Sequence, residues 1–279
     1  MKPEIAVPAS VLTTENTAGD SVEDNVWQRL RREAREGSES EPVLASYYHA
    51  AVLNHSNFEA AISYQLANLL GSNTVPAMTI REVFEEALAS DPAIGQAMRA
   101  DLLAYYDRDP ACDKYIMPFL YFKGYHSLQA YRVSHWLWRN QRKPLAMYFQ
   151  NQISQSFSVD IHPGARIGSG IMIDHATGVV IGETAVLGND VSMLHGVTLG
   201  GSGCAAGKRH PTIGNGVLIS VGAKVLGNIT VGDGVKIGGG SVVLESVPSH
   251  STVAGVPARI VGRPSCDSPA LDMDQDLKD

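Results

Sequence analysis

Aliphatic and small side chains recur every six residues through the second half of the chain. They occupy two runs of positions: Ile161, Ile167, Ile173, Val179, Ala185, Val191 and Val197, then Ile213, Ile219, Val225, Val231, Ile237 and Val243. A period of six fits neither an α-helix nor a flat amphipathic strand, but it is typical of β-helices whose short strands turn at regular corners. The step from the last position of the first run to the first position of the second is not a multiple of six, so we predict a loop inserted at 198–212.

A sharp change in composition separates this repeat from the first half of the chain. All 3 Trp, 10 Tyr and 6 Phe lie at or before Phe157, whereas 22 of the 27 Gly lie after it. Long stretches of the first half carry apolar residues at helical spacing without interior Pro or Gly. The fold class is therefore α+β, with an N-terminal α-helical domain followed by a parallel β-helix. The predicted domains are a disordered or weakly ordered extension at 1–40, the α-helical domain at 41–157, the β-helix at 158–262 and an acidic C-terminal tail at 263–279, with disorder expected at 1–20 and over Asp267–Asp279.

Three local signals predict helix starts in the first half. Thr79 and Glu82 have the spacing of a capping box, in which the Thr oxygen accepts a backbone N–H and the Glu side chain reaches back to the cap. Asp91-Pro92 and Asp109-Pro110 each place an acidic cap before a proline, which the first position of a helix tolerates.

The balance of charges and cysteines excludes several classes of function. With 29 Asp and Glu against 22 Lys and Arg, the formal net charge is −7, so the chain lacks the basic surface that nucleic acid or an anionic membrane requires. Residues 1–20 have no apolar stretch typical of a signal peptide, and no apolar run approaches the length of a membrane span. Cys112, Cys204 and Cys266 form no close pair, which fits a reducing compartment. We therefore expect a cytoplasmic protein without a nucleic-acid or membrane partner.

Two polar clusters interrupt the aliphatic repeat and carry groups suited to acid–base chemistry. Asp160 precedes Ile161, and Asp174 and His175 follow Ile173. The separation of Asp160 from His175 is slightly less than one coil of three hexapeptides, which predicts that they lie on adjacent rungs near one corner. A histidine removes a proton from a hydroxyl near neutral pH, and a carboxylate behind it fixes the tautomer. The alternative is that both are exposed corner residues without a role.

The inserted loop combines glycines with basic side chains. Gly200 and Gly201 allow backbone amides to approach a ligand closely, and Lys208, Arg209 and His210 add positive charge beside them. The planar guanidinium of Arg209 suits a carboxylate. An equally open interpretation is a flexible surface loop with a solvated basic patch.

Neither a metal site nor a cysteine nucleophile is predicted. The histidines His162, His175, His195 and His210 are widely separated along the repeat, without the close pair on a single rung that a resemblance to the γ-class carbonic anhydrases, which hold zinc between subunits, would require. No neighbouring residue identifies a general base for Cys204.

The repeat resembles the left-handed parallel β-helix of the hexapeptide acyltransferases, which form trimers with sites between neighbouring subunits. A more specific resemblance rests on Asp-Ile-His-Pro, Asp-His-Ala-Thr-Gly, Gly-Glu-Thr-Ala-Val, His-Gly-Val-Thr-Leu-Gly-Gly, Arg-His-Pro and Ala-Gly-Val-Pro-Ala-Arg, with Arg108-Asp109-Pro110 and Lys123-Gly124-Tyr125-His126 upstream. Over residues 41–263 the chain resembles the serine O-acetyltransferases, which make O-acetyl-L-serine from L-serine and acetyl-CoA in cysteine biosynthesis.

This resemblance implies a role for each matching position. His175 matches the general base that deprotonates the serine hydroxyl, and Asp160 matches its carboxylate partner. The positions that hold the amino acid are Asp109, Asp174, Arg209 and His210, with the acids toward the ammonium and Arg209 toward the carboxylate. The implied reaction is direct attack of serine on the thioester, with no metal and no acetyl-enzyme.

Acetyl-CoA is the implied co-substrate. We assign the backbone amides of Gly200 and Gly201 to the thioester oxygen by the oxyanion-hole argument. Lys224, Lys236 and Arg259 are candidate phosphate contacts, and they are equally well explained as surface charges.

The resemblance also implies partners and leaves an alternative acceptor open. A homo-oligomer is implied, either a trimer or a dimer of trimers, with L-cysteine as a feedback inhibitor. The chain ends in Leu277-Lys278-Asp279 instead of the terminal Ile that enters O-acetylserine sulfhydrylase in this family, so we do not expect that complex. The alternative functions are another hexapeptide O-acetyltransferase acting on homoserine, a sugar or a xenobiotic, and a scaffold without activity.

Overall fold

The chain folds into an α-helical half followed by a β-helix, in a computed structural model that describes residues 24–203 and 207–277. The predicted α+β fold is confirmed. The helices of the first half are α1 (Asn25–Ser40), α2 (Ala45–Tyr48), α3 (Phe58–Leu70), α4 (Ala77–Ser90), α5 (Pro92–Arg108), α6 (Ile116–Tyr121), α7 (Lys123–Arg139) and α8 (Lys143–Phe157), with a 3-10 turn at Pro42–Leu44 and a π-helical turn at His49–Leu53.

Helix α5 begins where its sequence predicts, whereas α4 does not. The Asp91 carboxylate accepts a backbone N–H at 3.2 Å, and Pro92 takes the first helical position. Helix α4 begins at Ala77, two residues before the predicted cap Thr79, because Pro76 occupies the cap position. The capping-box prediction is therefore wrong, since a proline start competes with it.

The prediction that residues 1–40 are weakly ordered is wrong for Asn25–Ser40, which forms α1. One side of this helix is buried in the helical domain, through Trp27, Leu30 and Ala34. These three residues have the i, i+3, i+7 spacing of a helix face, but the many charged residues between them make the sequence of this segment typical of solvent-exposed chain. The part of the prediction that covers 1–23 lies outside the described residues.

The strands of the β-helix form three sheets, one for each side of the coil. The first face contains β1 (Val159–Ile161), β4 (Val179–Ile181), β7 (Thr198–Gly200), β10 (Lys224–Leu226) and β13 (Val242–Val243). The second face contains β2 (Arg166–Ile167), β5 (Val186–Leu187), β8 (Thr212–Ile213) and β11 (Thr230–Val231). The third face contains β3 (Met172–Ile173), β6 (Ser192–Met193), β9 (Leu218–Ile219), β12 (Lys236–Ile237), β14 (Thr252–Gly255) and the antiparallel β15 (Ala258–Gly262).

Parallel pairing stacks aliphatic side chains in columns inside the coil. On the first face, one column runs through Ile161, Ile181, Leu199 and Val225. Each of these side chains is at most 1% exposed. Burying one such side chain stabilises the fold by about 1.5–3 kcal/mol, so the columns make the coil a firm support for the residues at its corners.

Side chains from α5 and α7 close the open end of the β-helix, which is formed by β1, β2 and β3. These strands have a neighbouring coil on only one side, so their other backbone groups need partners. The hydrogen bonds run from Tyr131 to Ala165 O (2.6 Å), from Arg132 to Gly168 O (2.7 Å), from Arg108 to Gly170 O (2.9 Å), from Ile171 N to Asp101 (2.9 Å) and from Tyr105 to Ile173 O (2.9 Å). The helical domain thereby protects an edge that would otherwise pair with another chain.

The C-terminal segment packs on the third face and includes the short helix α9 (Pro269–Asp272). Ala270 is fully buried there. The ammonium of Lys236 lies 3.3 Å from the carboxylate of Asp274. The expectation that Asp267–Asp279 is disordered is therefore wrong for its described part, and the last two residues lie outside that part.

Candidate active site

His175 lies at a corner of the first coil that is two residues longer than the equivalent corner of the next coil. Met172, before this corner, pairs with Ser192 of the next coil. Val180, after the corner, pairs with Thr198, and the chain between these two residues is two residues shorter than the chain from Met172 to Ser192. The two additional residues therefore lie between the third face and the first face, in the segment that carries His175.

We call residues 174–178 the histidine corner. His175 and Ala176 both have positive backbone φ angles, 54° and 60°, which residues other than glycine rarely adopt. The His175 side chain is 73% exposed, and its Nε2 lies 3.6 Å from Asp174 Oδ2. The ring of His195, one coil further on, lies 5.7 Å from it between centroids. The longer corner thus presents an accessible imidazole beside a carboxylate.

A cavity of about 460 Å³ separates the histidine corner from the helical domain. Its walls include Tyr105, Asp109, Lys123, Gly124, Asp174 and His175. Burial raises the pKa of Asp174, and the charge of Asp109 raises it further. Two carboxylates that act on each other across one cavity favour a bound cation, because a positive group relieves their repulsion.

Asp109 reaches this cavity from the end of a helix. The prediction that Asp109-Pro110 starts a helix is wrong, since Asp109 instead follows the last residue of α5. Its Oδ1 accepts a hydrogen bond from Ala111 N at 2.8 Å, which turns the chain away from the helix. The sequence suggests a helix cap at Asp109 because a carboxylate that caps a helix and a carboxylate that stabilises a turn both accept a hydrogen bond from a backbone N–H two or three residues later.

Arg209 and His210 lie at the other edge of the first face, where the chain passes from β7 to β8. Arg209 NH2 donates to Glu183 Oε2 at 2.6 Å, and this hydrogen bond lowers the pKa of Glu183. His210 is 8% exposed, and its Nδ1 accepts from Thr184 N at 3.2 Å. Burial lowers the pKa of His210, so the ring is neutral at neutral pH and carries its proton on Nε2. We call Glu183, Arg209 and His210 the arginine side.

The predicted hydrogen bond between Asp160 and His175 is not formed within one chain. Asp160 lies in the middle of β1 on the first face, and its Oδ1 accepts from Gln150 Nε2 at 2.7 Å. In residues 24–203 and 207–277, the carboxylate paired with His175 is that of Asp174. The expectation assumed a first coil of three hexapeptides, whereas this coil is two residues longer, since Val159 pairs with Val179, and its extra length lies at the histidine corner.

The predicted coenzyme residues have different surroundings. Gly200 ends β7, so the inserted loop runs from Gly201 to Pro211, and its predicted bounds of 198–212 are wrong at both ends. Lys224 Nζ donates to two backbone carbonyls at 2.6 and 3.1 Å, and Arg259 is exposed near the edge of the third face. Lys236 is only 4% exposed beneath the C-terminal segment, where its ammonium faces Asp274 instead of the surface of the coil. Cys204 lies outside the described residues.

Three residues at these sites were not singled out from the sequence. Glu183 stands in the quoted Gly-Glu-Thr-Ala-Val motif, and His195 takes the corner position one coil after His175. Tyr105 lies one helical turn before Asp109, and this i, i+4 spacing is the signal that places both on the cavity.

In the part of the chain that the structure describes, no group of three or more His, Cys, Asp or Glu side chains is arranged to hold a metal ion. Within the same ranges, no helix is both long and apolar enough to span a bilayer.

A β-helix of hexapeptide repeats, with an exposed histidine at a corner and a glycine-rich inserted loop, defines the class of this protein as a hexapeptide-repeat acyltransferase.

Comparison with known proteins narrows this class, and the chain belongs to the serine acetyltransferase family. Residues 26–130 match the model of the serine acetyltransferase N-terminal domain, and residues 210–245 match the bacterial transferase hexapeptide repeat. The serine acetyltransferase of Escherichia coli K12 is 59% identical over 250 residues, which cover 90% of this chain and 92% of that protein. The crystal structure of the Vibrio cholerae enzyme has a TM-score of 0.90 at 62% identity and covers 90% of this chain and 98% of its own.

Similar structures contain the small molecules expected for this chemistry. A serine acetyltransferase in complex with cysteine has a TM-score of 0.89 at 53% identity, covering 91% of this chain and 99% of its own. The Neisseria gonorrhoeae enzyme in complex with serine has a TM-score of 0.83 at 51% identity, covering 84% and 97%. The Brucella abortus enzyme with coenzyme A has a TM-score of 0.85 at 50% identity, covering 87% and 97%. The predicted activity, acetyl-CoA-dependent acetylation of serine, is confirmed by this family membership.

Proposed function

We propose that His175 is the general base of this acetyl transfer. Neutral His175 accepts the proton of the serine hydroxyl while the serine oxygen bonds to the acetyl carbon of acetyl-CoA. The resulting tetrahedral intermediate loses the thiolate of coenzyme A, and the imidazolium returns its proton to that sulfur. The exposure of His175 supports this role, since both substrates must reach the same ring nitrogen.

The observation that carries the proposal is the division of the predicted site into two groups. Asp109, Asp174 and His175 surround the cavity at one edge of the first face, whereas Arg209 and His210 lie at its other edge. One small amino acid cannot contact both groups in a single chain. We infer that in a trimer the histidine corner of each copy meets the arginine side of the next copy.

The same assembly accounts for Asp160. Its side chain leaves β1 on the outer surface of the first face, on the arginine side, where its charge acts on His162. A neighbouring copy that brings its histidine corner against this surface would place His175 within reach of Asp160. The carboxylate would then fix the tautomer of the imidazole and stabilise its protonated form.

The charges of the completed site match a zwitterionic amino acid. Asp109 and Asp174 attract the ammonium group, and Arg209 binds the carboxylate through two parallel hydrogen bonds. In the free chain Glu183 already occupies the guanidinium of Arg209. The incoming carboxylate must therefore replace or share this partner, which makes Glu183 part of the selection for an amino acid.

Coenzyme A would extend from this site along the first face toward the later coils. The amides of Gly200 and Gly201 are suited to the thioester oxygen, and Lys224 and Arg259 remain candidates for phosphate contacts. L-cysteine has the same ammonium and carboxylate groups as L-serine, so it would compete for the same residues. The proposed assembly is a trimer or a dimer of trimers.

Mixed trimers test whether the site is shared between subunits. His175→Ala and Arg209→Ala should each lower the rate at low serine by about 100-fold or more, because each removes one half of every site. The two variants are co-expressed with different affinity tags, and trimers that carry both tags are isolated. Such a trimer holds two copies of one variant and one of the other, so one of its interfaces combines an intact histidine corner with an intact arginine side.

The recovered rate should therefore be about a third of the wild-type rate per trimer, since one interface in each mixed trimer is complete. Trimers that contain only one of the two variants, assembled from copies with the same two tags, serve as the control and should stay inactive. If isolated mixed trimers of the two variants are as inactive as these controls, the site lies within one chain and the proposal is wrong.

Gly182→Ala tests the arginine side separately. A Cβ at Gly182 would lie 2.0 Å from Nε2 of His210, so the ring must move. We expect the KM for serine to rise about tenfold, the effect of losing one well-placed hydrogen bond, while the KM for acetyl-CoA stays unchanged. Gly222→Ala is the comparison variant, since nothing lies within 4 Å of the new methyl group, and its φ of 69° adds a backbone strain that Gly182 does not have. An equal effect of both substitutions on the KM for serine would contradict this role of His210.

A further inference from the structure

We propose that Tyr105 is a positioning residue for the acetyl transfer, and that its hydroxyl acts through Ile173 to hold the histidine corner in its reactive shape. The inference rests on the proposed function, in which His175 is the base. Tyr105 is not expected to exchange protons with the substrates, because its only hydroxyl proton is donated to Ile173 O.

One hydroxyl makes both hydrogen bonds of an edge residue. Tyr105 Oη donates to Ile173 O at 2.9 Å and accepts from Ile173 N at 3.0 Å. An adjacent strand would normally supply these two bonds, but β3 is the outermost strand of the third face. Ile173 is the last residue of β3 and is followed directly by Asp174 and His175. The hydroxyl therefore fixes the backbone at the point where the histidine corner begins.

The Tyr105 ring has little freedom to move. Its side chain is 2% exposed and packs at 5.8 Å from the Phe122 ring and 6.1 Å from the Tyr125 ring, between centroids. Gly124 closes the remaining space, since a Cβ there would lie 2.0 Å from Ile173 O and 2.7 Å from the Tyr105 hydroxyl. Helix α5 thus bonds to this backbone carbonyl through Tyr105, and α7 packs closely against it at Gly124.

The histidine corner needs such support because its own conformation is costly. Two consecutive residues other than glycine, His175 and Ala176, have positive φ. Such backbone conformations persist only when the surrounding structure enforces them. Within the corner, Ala176 N donates to Asp174 O at 2.6 Å and Thr177 N to His175 O at 2.7 Å. The ends of the corner bond to the rest of the β-helix, from Asp174 N to Met193 O at 2.8 Å and from Gly178 N to Ser158 O at 2.7 Å, but none of these four bonds involves Ile173.

Lys123 provides a second attachment from the same domain. Its ammonium donates to Thr177 Oγ1, near the far end of the corner. Tyr105 holds the residue before the corner and Lys123 holds a residue near its end. The helical domain therefore contacts the chain on both sides of His175.

Tyr105→Phe tests the inference because it removes the hydroxyl and keeps the ring. Two other buried tyrosines give matched controls: Tyr131 donates to Ala165 O at 2.6 Å on the same coil, and Tyr125 donates to Met98 O at 3.1 Å inside the helical domain. Each control loses one buried hydroxyl, but neither hydroxyl bonds to the strand before His175.

We expect Tyr105→Phe to lower kcat by about 10- to 100-fold, the effect of misplacing a catalytic group by about an ångström. The KM for acetyl-CoA should change by less than about twofold, and Tyr131→Phe and Tyr125→Phe should retain kcat within about twofold. A purely structural role would lower the thermal midpoint of all three variants without this loss of kcat. If Tyr105→Phe has the kcat of Tyr131→Phe, the inference is overturned.

A double substitution shows whether Tyr105 acts through His175. In the His175→Ala background, Tyr105→Phe should change the residual rate by less than about twofold, because there is no imidazole left to position. A further tenfold loss in that background would mean that Tyr105 acts on another step, and would overturn the inference. If His175→Ala alone keeps the wild-type rate, the proposed function itself fails; if His175→Ala is inactive and Tyr105→Phe is normal, only the role of Tyr105 fails.

Discussion

Replacing His175 by alanine is expected to lower kcat by about 10²- to 10⁴-fold, the range measured for a positioned general acid–base group. The serine hydroxyl loses almost none of its protons in water at neutral pH, so its attack on a thioester requires a base at the site. The KM for acetyl-CoA should change little, since the imidazole takes a proton and carries none of the binding of the nucleotide. Initial rates of thiol release at saturating serine and acetyl-CoA measure this effect.

His250→Ala is the control for this substitution. His250 is also a histidine at a corner of the β-helix with positive φ, 54°, so alanine meets the same backbone strain at both positions. It lies outside the cavity that His175 borders. We expect His250→Ala to keep kcat within about twofold, because it removes an imidazole without touching the site. The assignment of His175 would be refuted by a variant that keeps its oligomeric state and most of its turnover.

The sequence predicts the β-helix well because each hexapeptide is a local unit. An inward aliphatic residue and a corner glycine repeat every six residues, and the parallel pairing follows from that repetition. The two-residue insertion at the histidine corner is harder to detect, because a strand of the first face has two inward side chains that lie two residues apart, such as Val179 and Ile181. The run from Ile173 to Val179 keeps the period of six only by changing from one inward column to the other: Ile161 pairs with Ile181, not with Val179.

The sequence also identifies the types of site residue but not how they are assembled. Spacing along the chain predicts only which residues of one copy lie near each other, and this spacing predicts Asp160 beside His175. The structure instead separates Asp160, Arg209 and His210 from the cavity, and no pattern within one chain records a contact between two copies. Long-range packing explains the other errors, because a narrow apolar stripe in α1 and a single buried alanine in α9 are too weak to be seen among charged neighbours.

The helical domain and the β-helix depend on each other through buried polar contacts. The first coil has no coil before it, and α5 and α7 supply hydrogen-bond partners for its backbone. These partners include charged side chains, and a buried charge is tolerated only when its opposite charge and its hydrogen bonds are present. The junction should therefore be the most sensitive part of the fold to loss of a single carboxylate, and Asp101 is the carboxylate at its centre.

Asp101→Ala is expected to lower the free energy of unfolding by about 3–5 kcal/mol, the usual cost of leaving one partner of a buried ion pair uncompensated. The Asp101 carboxylate is fully buried and lies 2.6 Å from the guanidinium of Arg132. It also accepts from Gln129 Nε2 at 3.1 Å and from Ile171 N at 2.9 Å. Alanine leaves all three donors without this acceptor, in a place that water does not reach. Urea unfolding followed by tryptophan fluorescence measures the loss.

Asp190→Ala distinguishes burial from charge pairing as the cause. Asp190 accepts from the guanidinium of Arg108 at 3.0 Å across the same junction, but its side chain is 56% exposed. Water can solvate Asp190, but Arg108 is only 5% exposed, so removing this carboxylate should cost about 1–3 kcal/mol, less than the loss of the fully buried Asp101. Arg108 also keeps its hydrogen bonds to Gly170 O and Ser192 Oγ. If the two variants unfold at the same urea concentration, then the buried carboxylate is no more important to the junction than the exposed one, and the closure of the first coil must depend on apolar packing instead.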